Sequence, residues 1–223
     1  MKLIYRIFLV LVSICIGALF IYSAYTKLNP IQSFEYTLVE YAHLPWILAA
    51  LSARFFIGLE AALGALLILH LYGKGKWVLK TALGLLIVLS AYLVYLWLIF
   101  GNNVNCGCFG DAIWMSPSSS LLKNIILLIL LILLYRYHNG LQKKWVQITS
   151  ISLLVVVTSL PFIIYALPDQ EPTWLKKSKF QLDMSAIYTP ALSSTPPSVD
   201  LRKGKHIIAF LSFSCPHCRM AEI

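Results

Sequence analysis

The chain has 223 residues, 59% of them hydrophobic and 12% charged, with 18 Lys+Arg against 9 Asp+Glu and a formal charge of +9. Soluble domains carry roughly 45–50% apolar and about 25% charged residues, so this composition excludes both a soluble enzyme and a disordered chain. The positive excess sits at the ends of apolar blocks, not in a stripe with interleaved aromatics, which excludes nucleic acid as a partner and makes the lipid bilayer the solvent.

Five apolar blocks follow in chain order, at about residues 4–25, 47–71, 77–100, 121–137 and 145–167. A span needs about 20 apolar residues, and helices are the form that pairs its backbone groups without water. The first block is longer than the apolar core of a cleavable signal, about 7–15 residues, and reads as a retained span. The fourth is short, but Ser116-Pro117-Ser118-Ser119-Ser120 supplies an N-cap and a proline for its first turn. Trp46, Trp77, Trp114 and Trp145 lie at or near block ends, where amphipathic rings settle at the membrane interface.

Lys2 and Arg6 flank the first block, Lys74, Lys76 and Lys80 the second connection, and Arg136, Lys143 and Lys144 the fourth; the first and third connections hold Lys27 alone. The positive-inside bias predicts a cytoplasmic N-terminus and a C-terminal tail outside, in a multi-pass protein of a bacterial inner membrane. Beyond the fifth block, residues 168–205 are rich in Pro, Ser and Lys and read as an extra-membrane linker. Residues 206–213 form a strand-like apolar run, followed by Ser214-Cys215-Pro216-His217-Cys218 and a short helix-like end.

Four of the five cysteines form two close pairs, Cys106-Gly107-Cys108 in the third connection and Cys215/Cys218 in the tail. The charge-based topology puts both pairs outside, where disulfides form and persist. Cys215 sits where a strand gives way to a helix, so the dipole and free backbone N–H groups stabilise its thiolate, and His217 adds positive charge. Pro216 completes the pair's spacer. Zinc would need further ligands, so redox exchange is the reading. Cys106 and Cys108 are close enough for a small, strained ring, which Gly107 tolerates, and strained disulfides exchange readily. A static staple and a soft copper site are the competing readings. Cys15, alone inside the first span, reads as a packing residue.

Charged groups inside lipid are functional candidates. Arg54 and Glu60 share the second span, but six residues is about 600° of helix turn, so they face apart. Glu60 must find a partner on another helix, protonate, or line a polar cavity such as a proton site beside a quinone. Asp111 follows the loop pair and is a candidate proton acceptor or a loop residue.

The segments Gly17-Ala18-Leu19-Phe20-Ile21-Tyr22-Ser23-Ala24-Tyr25-Thr26-Lys27-Leu28, Gly58-Leu59-Glu60-Ala61-Ala62-Leu63-Gly64 and Asn105-Cys106-Gly107-Cys108-Phe109-Gly110-Asp111 resemble the MauE/DoxX family, and its redox-associated MauE branch in particular. The resemblance implies a four-helix membrane bundle. It also implies a role in making disulfides during methylamine dehydrogenase maturation, beside a thioredoxin-like partner. Residues 199–222 resemble the opening of a thioredoxin-like domain, and Pro216-His217 matches the dipeptide of the DsbA oxidants. The layout is also similar to bacterial vitamin K epoxide reductase fusions, but those use a membrane CxxC that this bundle lacks. Five residues follow Cys218, too few for the remaining strands and helices, so the sequence reads as a fragment of a longer protein.

The expected fold class is therefore an all-α membrane protein. Residues 1–140 form a four-helix bundle, 141–167 a fifth transmembrane helix, 168–205 a periplasmic linker and 206–223 the start of a thioredoxin-like α/β segment. The expected function is a thiol–disulfide relay among periplasmic dithiol or disulfide proteins, Cys215/Cys218 and Cys106/Cys108. Arg54, Glu60, Asp111, Pro216 and His217 support it, no metal or covalently bound cofactor is expected, and quinone is a candidate acceptor. A copper-handling membrane protein and a non-catalytic maturation scaffold are the alternatives.

Overall fold

Apolar runs of about 20 residues suit helices in lipid, because a helix pairs its backbone groups within the segment. The computed structural model describes residues 2–138, 140–141 and 143–167, and they fold into helix α1 (Lys2–Leu28), α2 (Ile31–Ala42), α3 (Trp46–Ile68), a 3₁₀ turn (Lys74–Lys76), α4 (Trp77–Phe100), a short strand β1 (Cys108–Asp111), α5 (Pro117–Tyr137) and α6 (Lys144–Ile164). Five of the helical segments are long and apolar enough to cross a membrane: Ile4–Leu28, Trp46–Ile68, Lys74–Phe100, Pro117–Tyr137 and Lys144–Ile164. These are the five expected spans, and the fold is that of an all-α membrane protein. Ser116 caps α5 as its sequence implied, accepting from Ser119 N–H at 3.4 Å ahead of Pro117.

α1 packs chiefly on α3, and α3 also carries α6, while α4 and α5 pair with each other. The α1–α3 contact is close because Gly17 and Gly64 face across it; a Cβ on Gly17 would lie 2.6 Å from the Gly64 carbonyl oxygen. The shared core runs through Leu9, Ile16, Phe20, Leu63, Leu66, Leu67, Leu79, Leu131 and Leu134.

Three sequence expectations change. The connection between the first two spans contains α2, a 12-residue helix too short to cross lipid, whose Ile31, Phe34 and Leu38 are buried against α3. Lys27 is no loop residue: it lies in the last turn of α1 and is 3% exposed. Cys15 also departs from its expected packing role, since it is exposed on α1. The tail calls on Cys215, Pro216, His217 and Cys218 lie outside the described residues.

The helix ends fall into two groups. Leu141 N–H donates to His70 O, and Lys76 Nζ donates to Tyr135 O, so the start of α4, the end of α5 and the start of α6 share one end, the basic one. At the opposite end, Arg54 near the start of α3 donates to Tyr165 O at 2.7 Å and Ala166 O at 3.2 Å, just past α6. That is also the end where Ser23 meets the Cys108 carbonyl. The chain therefore leaves α6 at the end that carries the loop cysteines.

Candidate functional site: a cysteine pair over a buried cavity

The loop between α4 and α5 is held by Asn105. Its Oδ1 accepts from Gly107 N–H at 3.3 Å and Met115 N–H at 3.4 Å, and its Nδ2 donates to Gly110 O at 3.2 Å. Cys106 N–H donates to Met115 O at 3.0 Å. Gly107 has φ +69°, and a Cβ there would press on Thr37 of α2 at 3.1 Å. The pair thus needs glycine between its members, both for the left-handed backbone and for the approach to α2.

Cys106 and Cys108 are both free thiols in the structure. Cys106 is buried, with its Sγ 2.9 Å from Ser120 Oγ, and Cys108 N–H points at Cys106 Sγ from 3.3 Å. Cys108 is only half-buried. A hydrogen bond from the Cys106 thiol is the main reason that Cys108 is lowered to about 6; burial opposes this, and the Lys123 and Lys27 ammonium groups and the Ser120 hydroxyl reinforce it. Cys106 is pushed the other way, first by that same shared hydrogen bond and then by burial and by the charge on Cys108. One sulfur is therefore prepared as thiolate and the other as thiol, the division of labour that disulfide exchange uses.

Beneath the pair lies a cavity of about 230 Å³, lined by both cysteines, by Ser23, Lys27, Glu60, Lys123 and Asn124, and by apolar side chains of α1, α2, α4 and α5. Glu60 does find its partner on another helix: Lys27 Nζ donates to Glu60 Oε1 and Oε2, each at 2.7 Å. Both groups are buried, and each charge offsets the desolvation of the other. Ser23 Oγ lies 2.9 Å from the Cys108 carbonyl oxygen and 3.2 Å from Glu60 Oε2, so its one proton links the ion pair to the cysteine loop. Lys123 Nζ sits 4.3 Å over the Phe109 ring, a cation–π contact that holds a second ammonium beside the pair.

Arg54 and Glu60 do face apart as their spacing implied, and Arg54 serves another purpose. Its Nη1 donates to Glu35 of α2 at 2.5 Å and to Ala50 O at 2.8 Å, while Nε and Nη2 take the carbonyls after α6. A cation on helix C-terminal carbonyls is favourable, and here it ties α2, α3 and α6 together. Asp111 ends β1 and is not among the residues lining the cavity. Lys123 and Glu35 went unremarked in the sequence, although a lysine one turn into a span and a glutamate on an amphipathic turn are both signals that intramembrane charge should raise. Among the described residues no cluster of three or more His, Cys, Asp or Glu is gathered.

Residues 5–137 match the family of the methylamine utilisation protein MauE, which is more than half of the chain, and the chain belongs to that family. Over 130 residues it is 35% identical to Protein TlpB of Flavobacterium psychrophilum, an alignment that covers 56% of this chain and 35% of that protein. The chain thus spans about a third of the length of this curated relative. No solved structure matches.

Proposed function

We propose that this MauE-family membrane protein is a thiol–disulfide relay, in which Cys106/Cys108 exchange with Cys215/Cys218 and pass electrons to a small apolar acceptor at the cavity. The reading rests on one observation: two free cysteines a residue apart, with Lys27 and Lys123 beside them, form part of the wall of a cavity set among the spans. That cavity is smaller than the roughly 300–1,000 Å³ of pockets for drug-sized ligands. It suits a single ring, such as a quinone headgroup, better than a larger solute.

In the oxidising direction a client dithiol first reduces the Cys215/Cys218 disulfide. Cys215 thiolate then attacks Cys108 Sγ, the more accessible loop sulfur, and the Cys106–Cys108 bond breaks. Cys106 leaves as a thiolate that the Ser120 hydroxyl can hydrogen-bond. Cys218 attacks Cys215 Sγ and frees Cys108, so two electrons and two protons have moved from the tail pair to the loop pair. The loop dithiol re-forms its disulfide by giving two electrons and two protons to a quinone-type acceptor. Lys27, Glu60 and Ser23 offer a hydrogen-bonded route for the protons at the cavity wall.

The cysteine end would face the periplasm of a bacterial inner membrane. With Lys27 buried in its ion pair, the connections at that end carry no solvent-facing lysine or arginine, against eight basic residues at the other end. Differential alkylation followed by mass spectrometry of the full chain tests the proposal. Reversible disulfides at both pairs are expected; thiols that stay reduced under oxidant, with copper co-purifying, would replace the relay by metal handling.

A further inference from the structure

A second cavity lies at the opposite end from the cysteines. It measures about 550 Å³ and is lined by Tyr5, Arg6, His70, Tyr137 and His138, with Leu9 and Val10 on its apolar wall. Tyr5 and Tyr137 meet edge to face at 6.0 Å, joining the start of α1 to the end of α5. The His70 and His138 rings pack at 5.4 Å, and each lies against the buried Tyr72, whose hydroxyl is 2.6 Å from Ser13 Oγ.

The charge here is uncompensated. Residues 1–34, 61–110 and 112–168 contain no Asp or Glu at all, yet they supply Arg6, Lys74, Lys76, Lys80, Arg136, Lys143 and Lys144 at this end. His70 Nδ1 faces the Ile68 carbonyl at 2.7 Å, an acceptor only, so Nδ1 carries a proton and Nε2 donates to an anion in the imidazolium form. Among the described residues, the Nε2 atoms of His70 and His138 are both buried without a hydrogen-bond partner. Buried polar atoms are normally satisfied, and these two sit in a pocket that already holds a guanidinium. Burial, then His70 and Lys76, keep the His138 imidazole below its usual range, so the cluster disfavours further positive charge until an anion enters.

We propose that this pocket binds the phosphate of an anionic phospholipid headgroup, held between Arg6 and the paired imidazoles of His70 and His138. The position supports a lipid over a free ion: the tyrosines stand where interfacial aromatics do, and Leu9 and Val10 continue the wall towards the acyl layer. Basic pockets between spans at the positively charged face of membrane proteins take such headgroups. The site is separate from the cysteine cavity and does not depend on the relay.

Native mass spectrometry of the full chain in detergent tests it, with phosphatidylglycerol and phosphatidylcholine of the same acyl chains supplied in equal amounts. Phosphatidylglycerol is expected to be retained preferentially. Arg6→Gln, at an exposed position that leaves the fold alone, is expected to cut that preference about fivefold. His70→Gln/His138→Gln is expected to cut it as well, while Lys143→Gln, exposed at the same end but outside the lining, leaves it intact. Equal retention of the two lipids, or equal losses in Arg6→Gln and Lys143→Gln, would overturn the site. Displacement of the lipid by millimolar inorganic phosphate would keep the oxyanion pocket and overturn its assignment to lipid.

Discussion

In the proposed relay Cys108 is the reacting group, and a pH profile can separate the neighbours that act on it. The thiolate is the reactive form, so the alkylation rate should fall as pH drops through about 6 and level off above it. Cys106→Ala removes the strongest influence and should move the midpoint up most; Lys123→Met should move it up less. A midpoint indifferent to both would show that neither the thiol hydrogen bond nor the ammonium governs Cys108. The ion pair below it obeys a different rule. Glu60→Gln strands the buried Lys27 charge, and loss of one partner of such a pair costs about 3–5 kcal/mol. Lys27→Met/Glu60→Leu should recover most of that stability, read as the unfolding midpoint in detergent, while slowing the exchange chemistry. A double variant as unstable as the single one would mean that the pair stabilises the bundle beyond offsetting its own desolvation.

The five spans were legible because about 20 apolar residues in a row admit one solution in lipid, and the serine–proline start of α5 was readable as a cap. α2 was not read because it falls below spanning length, although Ile31, Phe34 and Leu38 recur at helical spacing on one buried face. Missing α2 hid Glu35, and so hid what Arg54 does. The same gap misplaced Lys27, which a loop reading leaves in water and α1 carries into the bundle. Helix spacing did say that Glu60 and Arg54 face apart, but no sequence spacing could name Lys27 and Glu35 as their partners, since those contacts join separate helices. Arg54 gives the next expectation. Arg54→Ala should cost about 3–5 kcal/mol by stranding buried Glu35. It should also raise hydrogen exchange in α2 and at residues 162–166, the backbone that the guanidinium fork secures. Arg54→Lys should rescue little, because a single ammonium cannot meet all four acceptors in the fork's geometry. Unchanged exchange at the end of α6 would contradict the tie.

The molecule as a whole divides its chemistry between two ends. All four carboxylates of the helical domain, Glu35, Glu40, Glu60 and Asp111, lie towards the cysteine end or in the middle of α3, and the other end carries only cations. The described chain also leaves α6 at the cysteine end, where Arg54 holds the Tyr165 and Ala166 carbonyls. The direct test is a trapped intermediate. In the full chain carrying Cys106→Ser/Cys218→Ser, Cys108 and Cys215 are left without their resolving partners. The expected result is a Cys108–Cys215 disulfide that holds the two halves together on a non-reducing gel after cleavage in the linker. Cys108→Ser/Cys218→Ser should give far less. If neither variant joins the fragments, the two pairs do not exchange and the relay is wrong.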